Sequence, residues 1–265
     1  MFALDIKSMQ KISPVVKRVV IVDANPAAAR LMADLLKGFG SRDIAIEADD
    51  SRVIDLAREM EPGLIIVEHS GPALDGEKLT RRIRRSTLSC RRAAIMMVTA
   101  EATATTIRGA RDAGVHEFLR KPFTSGDLYR RIENLATKPR DWIEAVGYVG
   151  PDRRRFNSGD YSGPRKRKAD HGTPDLIMLK DQAMRILASA LTQFSSDPTQ
   201  AVRAIREQAR VLKSIAVKAG DSGLAIATVA LETEMELGNV RLDQLTPLVK
   251  AVVALAPPET FSRTG

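Results

Sequence analysis

Two carboxylates stand where an α/β sheet would present them to a ligand. Glu68 ends the aliphatic run Leu64-Ile-Ile-Val67 and is followed by a loop carrying Pro72, Asp75 and Gly76, while Asp23 ends the apolar run over 15–23. Short apolar runs of this kind are buried parallel strands, and an acid at the carboxyl end of one points into the crevice where open α/β sheets bind ligands. A second chemistry is offered by residues 152–170, which carry seven Lys or Arg against three Asp around Phe156 and Tyr161. Such a segment can pair with phosphates and stack on bases, which suits RNA, DNA or a guanine dinucleotide.

Placing the two acids requires an alternation of strands and helices, and the periodicity supplies it. Strands are expected over 15–23, 43–46, 64–68, 94–99 and 117–119, and helices over 26–38, 52–60, 77–85, 103–113 and 125–135. In the first helix Ala29, Leu31, Leu35 and Leu36 are available for burial. Five such repeats with short connections predict an α/β fold, a five-stranded doubly wound parallel sheet.

The chain has 265 residues, 44 % of them hydrophobic, which is enough for real cores. No apolar run approaches the roughly 18 residues needed to span a bilayer, and the first residues lack the apolar centre of a signal peptide, so a cytoplasmic protein without membrane insertion is expected. Cys90 is the single cysteine, which excludes an internal disulfide, and His69, His116 and His171 are scattered, so no metal site is expected. Of the net charge of +8, half lies in residues 152–170.

Residues 15–137 resemble the receiver domain of two-component response regulators. The resemblance is carried by Asp23 after the first strand, by Glu68 with Pro72 and Asp75-Gly76, by Thr99-Ala100 after the fourth strand, and by Phe118-Leu-Arg-Lys121-Pro122-Phe123 after the fifth. It implies that Asp23, Thr99 and Lys121 form the receiver pocket, that Phe118 is an aromatic switch residue, and that the Lys121-Pro122 bond is cis. Two positions depart from the pattern. Glu68 stands where the family has its phospho-accepting Asp, and Ala24 replaces the second acid of the metal-holding pair. The extra methylene moves the attacking oxygen out of register with Lys121 and Thr99, and losing a hard oxygen ligand disfavours Mg²⁺.

Residues 138–174 read as a basic Pro/Gly/Arg-rich linker without a core of its own. They resemble the arginine-rich tails by which some receiver-like proteins bind cyclic di-GMP, which would make Arg153, Arg154, Arg155, Arg165, Arg167 and Asp170 nucleotide-binding residues. From 175 the pattern becomes wholly helical, with helices expected over 175–194, 198–217, 222–237 and 241–255 forming an antiparallel bundle. Asp197-Pro198 is a helix start and Gly220 a break. The stretch from Ala209 to Leu231-Glu232 is similar to the signature of histidine phosphotransfer domains, with Arg210 where the phosphorylated His belongs, Lys213 retained, and Ser214 in place of a Gly. Arginine is always protonated and is no nucleophile.

The organisation expected is an N-terminal extension over 1–14, a receiver-like domain over 15–137, the linker over 138–174, a four-helix phosphotransfer-like bundle over 175–257 and a tail over 258–265. The function expected is a non-enzymatic bacterial signalling adaptor, a pseudo-receiver within a phosphorelay, that binds a histidine kinase or a response regulator independently of phosphorylation. It needs no cofactor. The alternative is an effector of cyclic di-GMP or another nucleotide acting through the Arg-rich linker; among partners, a second copy joined through the helical domain is also expected.

Overall fold

Five short strands, the central ones rich in aliphatic residues, pair side by side in the computed structural model, which describes residues 6–153, 176–237 and 240–256. The chain divides into two units, Met1–Ile143 with Tyr148–Tyr161, and Glu144–Gly147 with Ser162–Gly265.

The first unit runs α1 (Ile6–Val16), β1 (Arg18–Val22), α2 (Pro26–Gly38), β2 (Asp43–Glu47), α3 (Val53–Met60), β3 (Leu64–Glu68), the two-residue strands β4 (Ser70–Gly71) and β5 (Leu74–Asp75), α4 (Gly76–Arg85), β6 (Ala94–Thr99), α5 (Ala104–Ala113), β7 (Glu117–Arg120), α6 (Ser125–Thr137), β8 (Trp142–Glu144) and β9 (Val149–Pro151). The main sheet is parallel in the order β2-β1-β3-β6-β7. Alternate residues of a strand face opposite sides of a sheet, and here both sides are covered. Val19, Ile21, Leu64, Ile66, Met96 and Val98 pack with α1, α2 and α6. Val20, Val22, Ile65, Val67, Ile95 and Met97 pack with α3, α4 and α5. That double burial is why the central strands read as unbroken apolar runs and not as alternating ones.

Three features differ from the sequence reading. Residues 6–16 are a helix that packs on α6, with Ile12 and Val16 fully buried, so the first strand starts at Arg18 and not at Val15. A short apolar stretch such as Pro14-Val-Val fits either element by pattern alone. Residues 142–151, expected as bare linker, form a two-stranded ladder in which Tyr148 and Val149 are buried. Leu31, expected in the core, is 61 % exposed on α2.

What ties Trp142 down is a cluster of cations. The guanidinium carbons of Arg84, Arg91 and Arg92 lie 5.4, 5.7 and 5.3 Å from the centre of its ring. Arg84 is itself fully buried, and its guanidinium donates to the carbonyls of Gly114 (2.9 Å), Arg91 (2.7 Å) and Ala93 (2.8 Å) and faces Nδ1 of His116 at 3.0 Å. Gly114 sits at φ +99°, and a Cβ there would lie 2.7 Å from the Val149 carbonyl, so the approach of β9 requires glycine.

The second unit contains α7 (Leu176–Thr192), α8 (Pro198–Ala219), α9 (Ser222–Glu236) and α10 (Leu242–Val253). Asp197 caps α8 by accepting from Gln200 N with Pro198 at the first helical position, and Gly220 closes it at φ +66°. Met184, Leu187, Ile205, Leu212, Leu231 and Val249 meet in one core, and the short connections make successive helices antiparallel. β8 begins in the first unit, but its last residue, Glu144, belongs to this one, where its carboxylate and carbonyl accept from the side-chain amides of Gln200 (3.0 Å) and Gln208 (3.2 Å).

Candidate functional site

Strand register brings the charged side chains together. Val22 pairs with Val67, so the residues that follow them, Asp23 and Glu68, leave adjacent strands at the same level. Glu68 pairs with Val98 and Thr99 with Arg120, which sets Thr99 and Lys121 one step along the same edge. The backbone N–H of Lys121 donates to the Thr99 carbonyl at 2.7 Å. The Lys121–Pro122 peptide is cis.

From that position the Lys121 ammonium reaches both acids. Nζ donates to Oδ2 of Asp23 at 3.2 Å and to Oε2 of Glu68 in a shorter contact. The side chains of Asp23, Glu68 and Lys121 retain only 12 %, 13 % and 29 % exposure, so water screens the cluster weakly. Two carboxylates share one ammonium, leaving a net charge of −1. Burial raises the pKa of Glu68 above its ordinary value, and repulsion from Asp23 adds to this against the pull of Lys121. For Lys121 burial opposes the charge, but hydrogen bonds and attraction from Glu68 and Asp23 outweigh it and raise its pKa.

Local sequence fixes each of these side chains. Oδ1 of Asp23 accepts from Asn25 N at 2.8 Å, and Asn25 in turn caps α2 by accepting from Ala27 N and Ala28 N. Gly76 opens α4 directly beneath Glu68, where a Cβ would lie 2.5 Å from the Glu68 carbonyl oxygen. Only glycine allows that approach. Asn25 did not enter the sequence reading, although Asn before Pro at a helix start is a cap signal; Gly76 entered only as part of the Asp-Gly motif.

The other predicted residues fall as follows. Thr99 is buried, and its hydroxyl accepts from Glu101 N at 3.1 Å, holding the turn after β6. Phe118 is buried in the core on the α3–α5 side. Arg210 is exposed on α8, and Lys213 pairs with Glu232 of α9 at 2.6 Å, both lining a shallow groove with Ser214 and Val217. Arg153 donates to Asp112 at 3.1 Å and lies 4.4 Å over the Tyr148 ring. Arg154, Arg155, Arg165, Arg167 and Asp170 lie outside the described residues. Among the described residues, no three His, Cys, Asp or Glu side chains gather as a metal's ligand set, and no helix is long and apolar enough to cross a membrane.

A doubly wound five-stranded sheet with acids and a lysine at its carboxyl edge agrees with the family whose model matches residues 19–133, the response regulator receiver domain. Residues 19–133 are a receiver domain of two-component signalling. Over 135 residues the chain is 30 % identical to the transcriptional regulatory protein PdtaR of Mycobacterium tuberculosis, a match covering 51 % of this chain and 64 % of that protein. It is 26 % identical over 125 residues to the DNA-binding response regulator MtrA of Mycolicibacterium smegmatis, covering 47 % and 53 %. The chain thus spans between about half and two thirds of the length of these relatives. Among solved structures, the receiver domain of the sensor histidine kinase PA1611 from Pseudomonas aeruginosa aligns at 28 % identity over 45 % of this chain and 96 % of that one, with a TM-score of 0.41. Receiver domains are generally non-catalytic signalling modules that interact with histidine kinases or other response regulators.

Proposed function

We propose that this protein is a pseudo-receiver adaptor, which binds a histidine kinase or a response regulator without accepting phosphate. The observation that carries the reading is Lys121 lodged between Glu68 and Asp23. Glu68 stands at the family's phospho-acceptor position and is long enough to reach the ammonium that would otherwise pair with phosphoryl oxygens. It supplies one negative charge in place of the roughly two of a phosphoryl group. The residues do not fit a Mg²⁺ ion: Ala24 offers no side-chain carboxylate, and the two carboxylates present already share the ammonium.

The helical unit fits the same role. With Arg210 at the position of the phosphorylated His, and Lys213 held by Glu232, the α8–α9 face resembles a phosphotransfer domain that keeps its shape without its nucleophile. The protein would then hold a partner at one or both units and relay no phosphate.

Incubation with acetyl phosphate and Mg²⁺ followed by intact-mass measurement tests this. No adduct is expected. A stable gain of about 80 Da, one phosphoryl group mapped to Glu68 or a neighbour, would sink the reading.

A further inference from the structure

Beside the ion cluster lies an opening with no counterpart in the function proposed above. It has a volume of about 220 Å³ and is walled by Ile21, Met32, Leu35, Ile66 and Val98, with Asp23, Glu68 and Lys121 along one side. Leu31, 61 % exposed, and Phe123 also line it. The opening reaches the surface at Leu31, its walls are mostly aliphatic, and its charged groups lie along one side.

We propose that this pocket binds a small amphipathic amine, a short aliphatic chain carrying one ammonium head. The opening has room for a short aliphatic chain, and a six-carbon chain with its ammonium head serves as the probe. The charge along one side sets the head. Asp23 and Glu68 together bring two negative charges against the single positive charge of Lys121, so a second ammonium restores balance where a carboxylate would add repulsion. With the Asp23 and Glu68 side chains only 12 % and 13 % exposed, that charge pairing counts for more than it would between fully solvated groups. The aliphatic tail then lies along Met32, Leu35 and Ile66. Adaptor binding and ligand occupancy would be linked, because the amine neutralises the cluster that the adaptor reading takes as a fixed signal.

The inference rests on Asp23, Glu68 and Lys121 forming a permanent ion cluster, and its test has a separate readout. Hexylammonium chloride is titrated into the full-length protein while methyl NMR signals of Ile21, Leu31, Met32, Leu35 and Ile66 are followed. Saturable shifts are expected with a dissociation constant on the order of a millimolar, as befits seven heavy atoms. Hexanol and hexanoate should bind at least about tenfold more weakly, and Glu68→Gln should weaken the amine by about tenfold, the loss of one charge-assisted contact. Leu31→Arg, at an exposed position that does not threaten the fold, should weaken it too by placing a cation beside the pocket. Hexanol binding as tightly as the amine, hexanoate binding more tightly, or no saturable shift with any of the three would overturn the proposal. A phosphoryl adduct in the mass measurement would instead sink the adaptor reading and leave the methyl shifts as they are.

Discussion

Arg84 and Lys121 are two shielded cations in one unit, and they are held by opposite means. Arg84 is fully buried and is satisfied by three carbonyls, His116 and the face of Trp142, all of them neutral. Burial lowers its pKa to about 9, which still leaves it charged at neutral pH. Lys121 is partly exposed and is held by two carboxylates. A cation bound by carbonyl dipoles has no counter-charge to exchange, and it fixes the chain segments that supply those carbonyls. A cation bound by acids at a sheet edge can trade partners. The first is architecture and the second is a site.

The largest effect should therefore come from Arg84. Arg84→Met removes the donor to three carbonyls inside the fold and the cation over Trp142, and should cost about 3–5 kcal/mol by urea denaturation. A loss below about 1 kcal/mol would erase the distinction between the two cations.

Lys121→Ala leaves Asp23 and Glu68 facing each other and should cost about 1–2 kcal/mol at neutral pH. The cost should shrink in acid, because Glu68, already raised above 4.5, then takes a proton and ends the repulsion. A cost that did not vary with pH would mean the two acids do not share the ammonium. Gly76→Ala, with its Cβ 2.5 Å from the Glu68 carbonyl, should cost about 1–2 kcal/mol and shift the Glu68 backbone amide signal in NMR. An unshifted signal would dissociate α4 from the site.

His116 separates the two cations by pH. It is partly buried beside Arg84, and desolvation first, then the Arg84 and Arg140 charges, lower its pKa well below 6.5. The folded form stays neutral while the unfolded chain protonates, so its contribution to stability is complete above pH 6.5 and is lost progressively as pH falls below that value. Stability measured between pH 7 and 5 should fall in the native protein and fall less in His116→Gln. The smallest effect should be at the exposed Lys213–Glu232 pair, where Lys213→Ala should change stability by less than about 1 kcal/mol and high salt should remove most of that.

Much of the site was legible because its signals are local. The strand ending in Glu68, the acid at Asp23, and Lys121 before a proline all lie within short windows of characteristic composition. Gly220 and Asp197-Pro198 announced the ends of α8 in the same way. The residues that escaped are those whose role depends on distant chain. Arg84 lies in Thr80-Arg-Arg-Ile-Arg-Arg85, where five polar or charged residues surround one Ile and nothing marks one arginine as interior. Residues 142–151 carry too little periodicity to declare a ladder, and Leu31 carries the same apolar signal as the buried Leu36.

By itself the sequence determined the alternation of strands and helices, the helical character of the second unit, and the placing of acids and a lysine at strand ends, since backbone period and capping depend on neighbours only a few residues away. Tertiary structure alone decided which cation is interior, that Lys121 is shared between two acids, and that a pocket opens beside them. Those outcomes turn on desolvation and on acceptors from segments far apart in the chain, such as Gly114 for Arg84 and Asp23 for Lys121, and no short window of sequence contains both halves of such a contact.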